Sequence, residues 1–244
     1  MNDSLKALDA PQVALALRAG VHRLLGAQEH LDRINVFPVP DGDTGTNLAA
    51  TAGSMLGILS EQADHVGRLL SACADAALDG ARGNSGAIFA QWLLGVSDRA
   101  AEAPDLDGRT FAAAMVSGAT YAREALSEPR EGTILSVLSD VAAAMVTAAE
   151  RLSFAELCAH AINESRRSLE ATRHRLDVLE KAGVVDAGAA GFSAFLDGFS
   201  DYVQKGHIDP LPDGLSLPSL EREAAGSEAT LEHRWCTECM VSGQ

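Results

Sequence analysis

Asn35-Val-Phe-Pro-Val-Pro-Asp-Gly-Asp-Thr-Gly-Thr-Asn47 cannot lie inside a helix. Pro38 and Pro40 remove two amide donors and push the residues before them towards extended backbone. The segment is therefore a stiff loop. In extended or turning backbone, side chains two apart can share a side, so Asp41 and Asp43 can converge on one cation. Carboxylate oxygens suit hard ions, and Mg²⁺ takes one or two of them, keeps waters, and fills its octahedron with phosphate oxygens. Gly42 and Gly45 let backbone approach a ligand, while Thr44, Thr46 and Asn47 add hydroxyl, amide and N–H donors where the next helix begins. The loop is suited to a metal-bound polyphosphate. Read alone, Pro-Asp-Gly-Asp also describes an ordinary surface turn capping a helix.

A second glycine-rich stretch shifts the balance. Gly80-Ala-Arg82-Gly83-Asn84-Ser85-Gly86 precedes the apolar run Ala87-Ile-Phe-Ala-Gln-Trp-Leu-Leu, so it too is a flexible turn opening a helix and a candidate anion site. Neither loop is a P-loop, because no Gly-Lys-Ser/Thr follows, and neither follows a strand as a dinucleotide fingerprint would.

Outward from these loops the chain reads as helix. Alanine is abundant, aromatics are 5% and strand alternation is nearly absent. Helices are expected at about 10–30, 46–62, 66–80, 85–98, 108–126, 132–151, 153–180 and 187–204. Asp64 marks the start of the third, Ser153 with Glu156 forms a capping box for the seventh, and Gly183 ends it. Val13, Leu17, Val21, Leu24 and Leu25 give the first helix an apolar stripe. Arg166, Arg167, Arg173, His174, Arg175 and Lys181 make a basic stripe on the seventh, read as a solvated face.

The bulk properties narrow the function. In 244 residues, 47% hydrophobic, there is one good-sized domain plus an extra piece. A formal charge of −15 argues against nucleic acid or anionic membrane as partner, so a polyphosphate must bring its own cations. With no run of 18 apolar residues and no secretory leader pattern, a cytoplasmic protein is expected. The four cysteines do not make a disulfide framework in a chain this size; Cys73 and Cys158 read as inert core thiols.

The loops NVFPVPDGDTGTN and GARGNSGAI, the segment Glu131-Gly-Thr133-Ile and Val185-Asp186-Ala-Gly188 together resemble the nucleotide-binding (L-type) domain shared by dihydroxyacetone kinases and bacterial fatty acid kinases. The wording is most similar to the fatty acid kinase A subunit, whose first loop also carries the two prolines. The resemblance spans roughly residues 10–205. It implies an all-α fold, a barrel of eight antiparallel amphipathic helices holding ATP or ADP and two Mg²⁺ at one end. On that resemblance Asp41 and Asp43 hold Mg²⁺, with Asn35 completing the shell where dihydroxyacetone kinases have a third aspartate. Thr44 stands where those kinases have histidine. Thr44, Gly45, Thr46 and Asn47 face phosphate from the first loop, and Gly83, Asn84, Ser85 and Gly86 from the second. Thr133, Asp186 and Gly188 approach the nucleotide, and Arg82 is the candidate to stabilise transferred charge. As plain sequence, Thr133 and Asp186 are also helix caps.

No nucleophile or acceptor pocket is legible, and the resemblance accounts for this: the acceptor arrives on another protein or domain. Fatty acid kinases use a B subunit presenting the acyl carboxylate, giving an acyl phosphate; dihydroxyacetone kinases use a K subunit holding the ketone. A nucleotide-binding adaptor without catalysis is the remaining reading, and a homodimer is one assembly open to the chain. The organisation expected is a kinase barrel over 1–205, a Pro-, Gly- and Ser-marked linker over 206–232, and a terminal piece over 233–244. That piece, His233-Arg-Trp-Cys236-Thr-Glu-Cys239, resembles the start of the middle domain of fatty acid kinase A, with Cys236 a Zn ligand in a longer chain; a tail with two free thiols is the alternative.

Overall fold

In the computed structural model, residues 6–60, 62–206 and Ile208 are described. Beyond Gly206, which ends α9, only Ile208 of the expected 206–232 linker is described; the rest of it and the 233–244 piece, Cys236 and Cys239 included, lie outside the described residues. A two-residue strand β1 (Ala7–Leu8) leads into α1 (Ala10–Ile34), and α2 (Thr44–Gly53) follows the proline loop. Two 3₁₀ turns connect it to α3 (Val66–Asp79), then come α4 (Gly83–Arg99), strand β2 (Leu106–Asp107) and α5 (Gly108–Glu124). The chain continues through α6 (Ile134–Ala148), α7 (Phe154–Thr172), the short α8 (Asp177–Ala182) and α9 (Ala187–Lys205). The strands form one antiparallel pair, Ala7 opposite Asp107 and Leu8 opposite Leu106, which ties the start of the chain to the α4–α5 connection.

The fold is all-α, as expected, and the helices close a ring. Helix α1 packs on α2 and α9; α4 packs on α2, α3 and α5; α6 lies between α5 and α7; and α7 returns to α9. Glycines set the closest approaches. At Gly20 an added Cβ would lie 2.7 Å from the Phe195 carbonyl oxygen and 2.9 Å from its ring, so α1 and α9 touch backbone to backbone. Gly20→Ala is therefore expected to cost about 1–3 kcal/mol through overpacking, read as a lowered midpoint in urea with unchanged slope. The interior is filled by aromatic edges: Phe89 and Trp92 meet Phe195 with ring centroids 5.2 and 5.8 Å apart, and Phe111 stacks on Phe154 at 5.6 Å. Cys73 and Cys158 are buried in this core, and burial pushes both thiols up, Cys73 to about 12, so neither is a nucleophile at neutral pH.

Two boundaries and one cap differ from the sequence expectation, each for a local reason. Helix α2 stops at Gly53 because the Ser54 hydroxyl, 2.7 Å from both the Thr51 and Ala76 carbonyl oxygens, shares its one hydrogen between them, which favours a tightened turn over further helix. The expected seventh helix breaks after Thr172. The amides of Arg173, His174 and Arg175 bond three residues back, and α8 restarts at Asp177, so Gly183, with φ +69°, ends α8 instead. Helix α3 is capped by His65, whose ring accepts from the Arg68 amide, while Asp64 pairs with the Arg68 side chain. The Ser153–Glu156 capping box forms as expected, and Asp9 with Gln12 makes a second one on α1.

Most of the basic stripe is paired in place. Arg166 pairs with Asp197, Arg167 with Glu164, Arg173 with Glu170, His174 with Glu180 and Arg175 with Asp140. Among the described residues no helix is long and apolar enough to cross a membrane.

Candidate functional site

Contacts between helix ends gather the amino ends of α2, α4, α6 and α9 at one end of the ring: a Cβ on Gly83 would meet Asn47, one on Gly45 would meet Gln28 and Leu31, and one on Gly191 would meet Leu48 and Leu31, while Asp186 bonds Ile134. Side-chain bonds across that end fix the arrangement: Asp32 of α1 reaches Thr46 of α2, and Asp186 before α9 reaches Ile134 of α6. Each helix amino end carries partial positive charge and unpaired N–H groups. In a chain of formal charge −15, this end is where an anion is best received.

The first loop forms its acidic corner. Asn35 ends α1, is 5% exposed, and donates from Nδ2 to Asp41 Oδ1 at 2.8 Å. Its own Oδ1 is buried without a hydrogen-bond partner, which is a costly state for an amide oxygen unless something electropositive meets it. Asp41 and Asp43 are both exposed, and Gly42 between them takes φ +70° to make the turn. Asp43 stands at the cap position of α2, yet its carboxylate makes no cap bond. Among the described residues no three Asp, Glu, His or Cys side chains gather into a ready-made metal cage. Two carboxylates with one carboxamide oxygen suit Mg²⁺, which completes its shell with water and phosphate.

Helix α2 is pinned under this loop. A Cβ on Gly45 would lie 2.2 Å from the Gln28 carbonyl oxygen, so only glycine lets α2 start so close to α1. The Thr46 amide and hydroxyl both donate to Asp32, each at 2.9 Å, and Gln28 Nε2 donates to the same hydroxyl at 3.1 Å. Thr46, expected at phosphate, thus already serves an α1–α2 clamp. Sequence reasoning misses Asp32 and Gln28. The available signal is Asp32 itself, a negative charge in the last turn of a helix, where the dipole disfavours it.

The second loop lies against the first. Gly83 opens α4 at φ +57°, and a Cβ there would lie 2.3 Å from Asn47 Nδ2. Arg82, the residue before α4, offers no side-chain cap, so the first amides of α4 (Gly83, Asn84, Ser85) face outward uncapped by it. The Arg82 side chain is exposed, as are Gly83 and Asn84, whereas Gly86 is buried.

Thr133, Asp186 and Gly188 come together on the α6–α9 side. The Thr133 hydroxyl donates to the Arg130 carbonyl and accepts from the Leu135 amide. Asp186 Oδ2 accepts from the amides of Ile134 at 3.0 Å and Ala189 at 2.8 Å, so one carboxyl caps two helices. Burial pushes its pKa up to about 6 against those two donors. Both side chains are occupied by the chain's own backbone. Gly188 brings α9 close to Ile134.

Comparison with known proteins agrees with this architecture. A family model described as the DAK2 domain matches residues 38–201. Protein YloV of Bacillus subtilis is 35% identical over 251 residues, covering 98% of this chain and 45% of that protein. An uncharacterized protein of Staphylococcus saprophyticus is 34% identical, covering 96% and 44%. The chain therefore spans less than half the length of these curated relatives. Among solved structures, the dihydroxyacetone kinase from C. freundii in complex with AMP-PNP and Mg²⁺ superposes with a TM-score of 0.62 at 15% identity, over 82% of this chain and 35% of that one. Its native form superposes at 0.61. At that identity the likeness speaks for the fold, whereas the matched family model and the relatives show that this chain belongs to the DAK2 domain family.

Proposed function

We propose that the chain is the nucleotide-binding part of a kinase, moving the terminal phosphoryl group of ATP to an acceptor carried by a partner protein, with a fatty acid carboxylate as acceptor. The observation that carries this reading is the buried, unpartnered Asn35 Oδ1 beside Asp41, at the amino ends of α2 and α4, where neither Asp43 nor Arg82 makes a side-chain cap bond. An oxygen left in that state beside the Asp41 carboxylate, with Asp43 two residues on, fits a site completed by a cation.

Asn35, Asp41 and Asp43 would hold Mg²⁺, which when bound offsets charge between the phosphates and so lets them approach a negative surface. The amides opening α2 and α4 would receive phosphate oxygens in fixed directions, at no cost of reorganisation during transfer. Asp32 and Gln28 hold Thr46 and thereby the angle at which α2 presents its first turn. Arg82, exposed at the mouth of the second loop, is the cation free to meet charge on the transferred group. This reading needs no nucleophile from the chain itself, because the acceptor is delivered by another protein. Fatty acid is favoured over dihydroxyacetone by the proline-bearing first loop, as the family resemblance implies.

The test is incubation with labelled ATP, Mg²⁺ and the acceptor-carrying partner, offering fatty acid or dihydroxyacetone. ADP together with acyl phosphate is the expected product. Label on dihydroxyacetone would replace the acceptor, ATP binding without transfer to either would leave an adaptor, and absence of any Mg²⁺-dependent ATP binding would end the kinase reading.

A further inference from the structure

The two glycine-rich loops meet along one polar stripe of α2. Asn47, Thr51 and Ser54 recur at helical spacing, and each lies under one glycine of the second loop: a Cβ on Gly83 would be 2.3 Å from Asn47, on Gly86 2.3 Å from the Thr51 hydroxyl, and on Gly80 2.7 Å from Ser54. The middle member is the informative one. Thr51 is fully buried, and its hydroxyl donates to the Asn47 carbonyl at 2.8 Å and accepts from the Arg82 amide at 3.2 Å. The Gly80 carbonyl lies 3.5 Å from the same oxygen.

Arg82 is the residue at which loop becomes helix α4, and no side chain of its own caps that helix. A hydroxyl from a different helix therefore fixes the direction of the peptide just ahead of the amides that open α4. A buried hydroxyl in an apolar bundle is costly unless its bonds are made, and here both are made to backbone at the site end of the ring. Helix packing alone would be served as well by valine, which has the same shape.

We propose that Thr51 is a positioning residue for phosphate binding: it sets the second loop in register with the first, so that the amino ends of α2 and α4 address one polyphosphate. The proposal rests on the nucleotide reading above and adds a residue to which that reading assigns no role. Thr51 touches no ligand itself; it acts through the Arg82 amide.

The series Thr51→Ser, Thr51→Val and Thr51→Ala separates hydroxyl from shape. Serine keeps the hydroxyl and loses the methyl, valine keeps the shape and loses the hydroxyl, and alanine loses both. Calorimetric titration of the 244-residue chain with Mg²⁺ and AMP-PNP is the readout, with thermal unfolding recorded alongside. Affinity should follow the hydroxyl: Thr51→Ser within about twofold of wild type, Thr51→Val and Thr51→Ala each weaker by about tenfold, the range expected when a buried amide loses its acceptor. Val141→Ala, in the core of α6, supplies a variant destabilised without touching the stripe, and its affinity should match wild type. If Thr51→Val fails to fold, the contrast of alanine with serine carries the test. Equal affinity in the folded hydroxyl-less variants, or affinity that tracks unfolding temperature across the series and Val141→Ala, overturns the role of Thr51. Wild-type protein that binds no Mg²⁺-nucleotide overturns the nucleotide reading instead, so the two failures are distinguishable.

Discussion

Asp41→Ala should abolish Mg²⁺-dependent nucleotide binding while leaving the helical fold intact. Asp41 is exposed and contributes nothing to the core, so circular dichroism and unfolding midpoint should change little. Its carboxylate, however, is one of only two in the loop that face outward for a cation, and Asn35 Nδ2 is bonded to it. Removing it takes away one charged ligand and releases the carboxamide that orients the neighbouring donor. The expected loss is about 100-fold or more in affinity for nucleotide at fixed Mg²⁺, above the 10–100-fold typical of changes one shell further out. Raising Mg²⁺ should recover part of that loss, because the defect lies in metal retention. Unchanged affinity in a folded variant would mean that the loop is a turn and nothing more.

The second large effect belongs to stability. Asp186→Ala removes a carboxyl that caps α6 and α9 together, leaving the buried Ile134 and Ala189 amides without an acceptor. Each lost cap is worth roughly 1 kcal/mol and each buried unpaired amide adds to it, so about 2–4 kcal/mol is expected at pH 4.5. For a barrel of this size that lowers the melting temperature by about 5–15 °C.

The pH dependence has a definite sign. The carboxyl's ordinary value of 3.8 is pushed up to about 6 by burial. Between those values the folded state binds more protons than the unfolded one, so this group's contribution falls as pH rises through the window, by up to about 3 kcal/mol above it. Asp186→Ala cannot show that decline. The gap between wild type and variant should therefore be widest near pH 4 and narrow towards pH 7, as thermal unfolding at several pH values would show. A gap that widens with pH would mean that the amino ends of α6 and α9 stabilise the ionised carboxylate more than burial opposes it.

Much of the molecule is legible in its residues alone. The prolines, glycines and paired aspartates of residues 35–47 allow only a loop that turns into a helix, and period-3.6 apolar spacing marks most helices. Capping logic works where both partners lie three residues apart, as at Ser153 and Glu156. It fails at α3, where two consecutive residues are each able to cap and His65 takes the position. Helix ends set by distant partners escape it as well: Ser54 turns the end of α2 by reaching Ala76, 22 residues on.

The local sequence by itself determined most of the helical segments and that two glycine-rich loops open helices. Only the tertiary structure decided which polar groups those loops spend on each other. Asp32 on Thr46, Thr51 on Arg82 and Asp186 on Ile134 join residues 14, 31 and 52 apart. The physical reason is that turn and helix preferences act over a few residues of backbone. A buried hydroxyl or carboxyl instead takes whichever donor the packing of separate helices brings to it, and no local pattern names that partner.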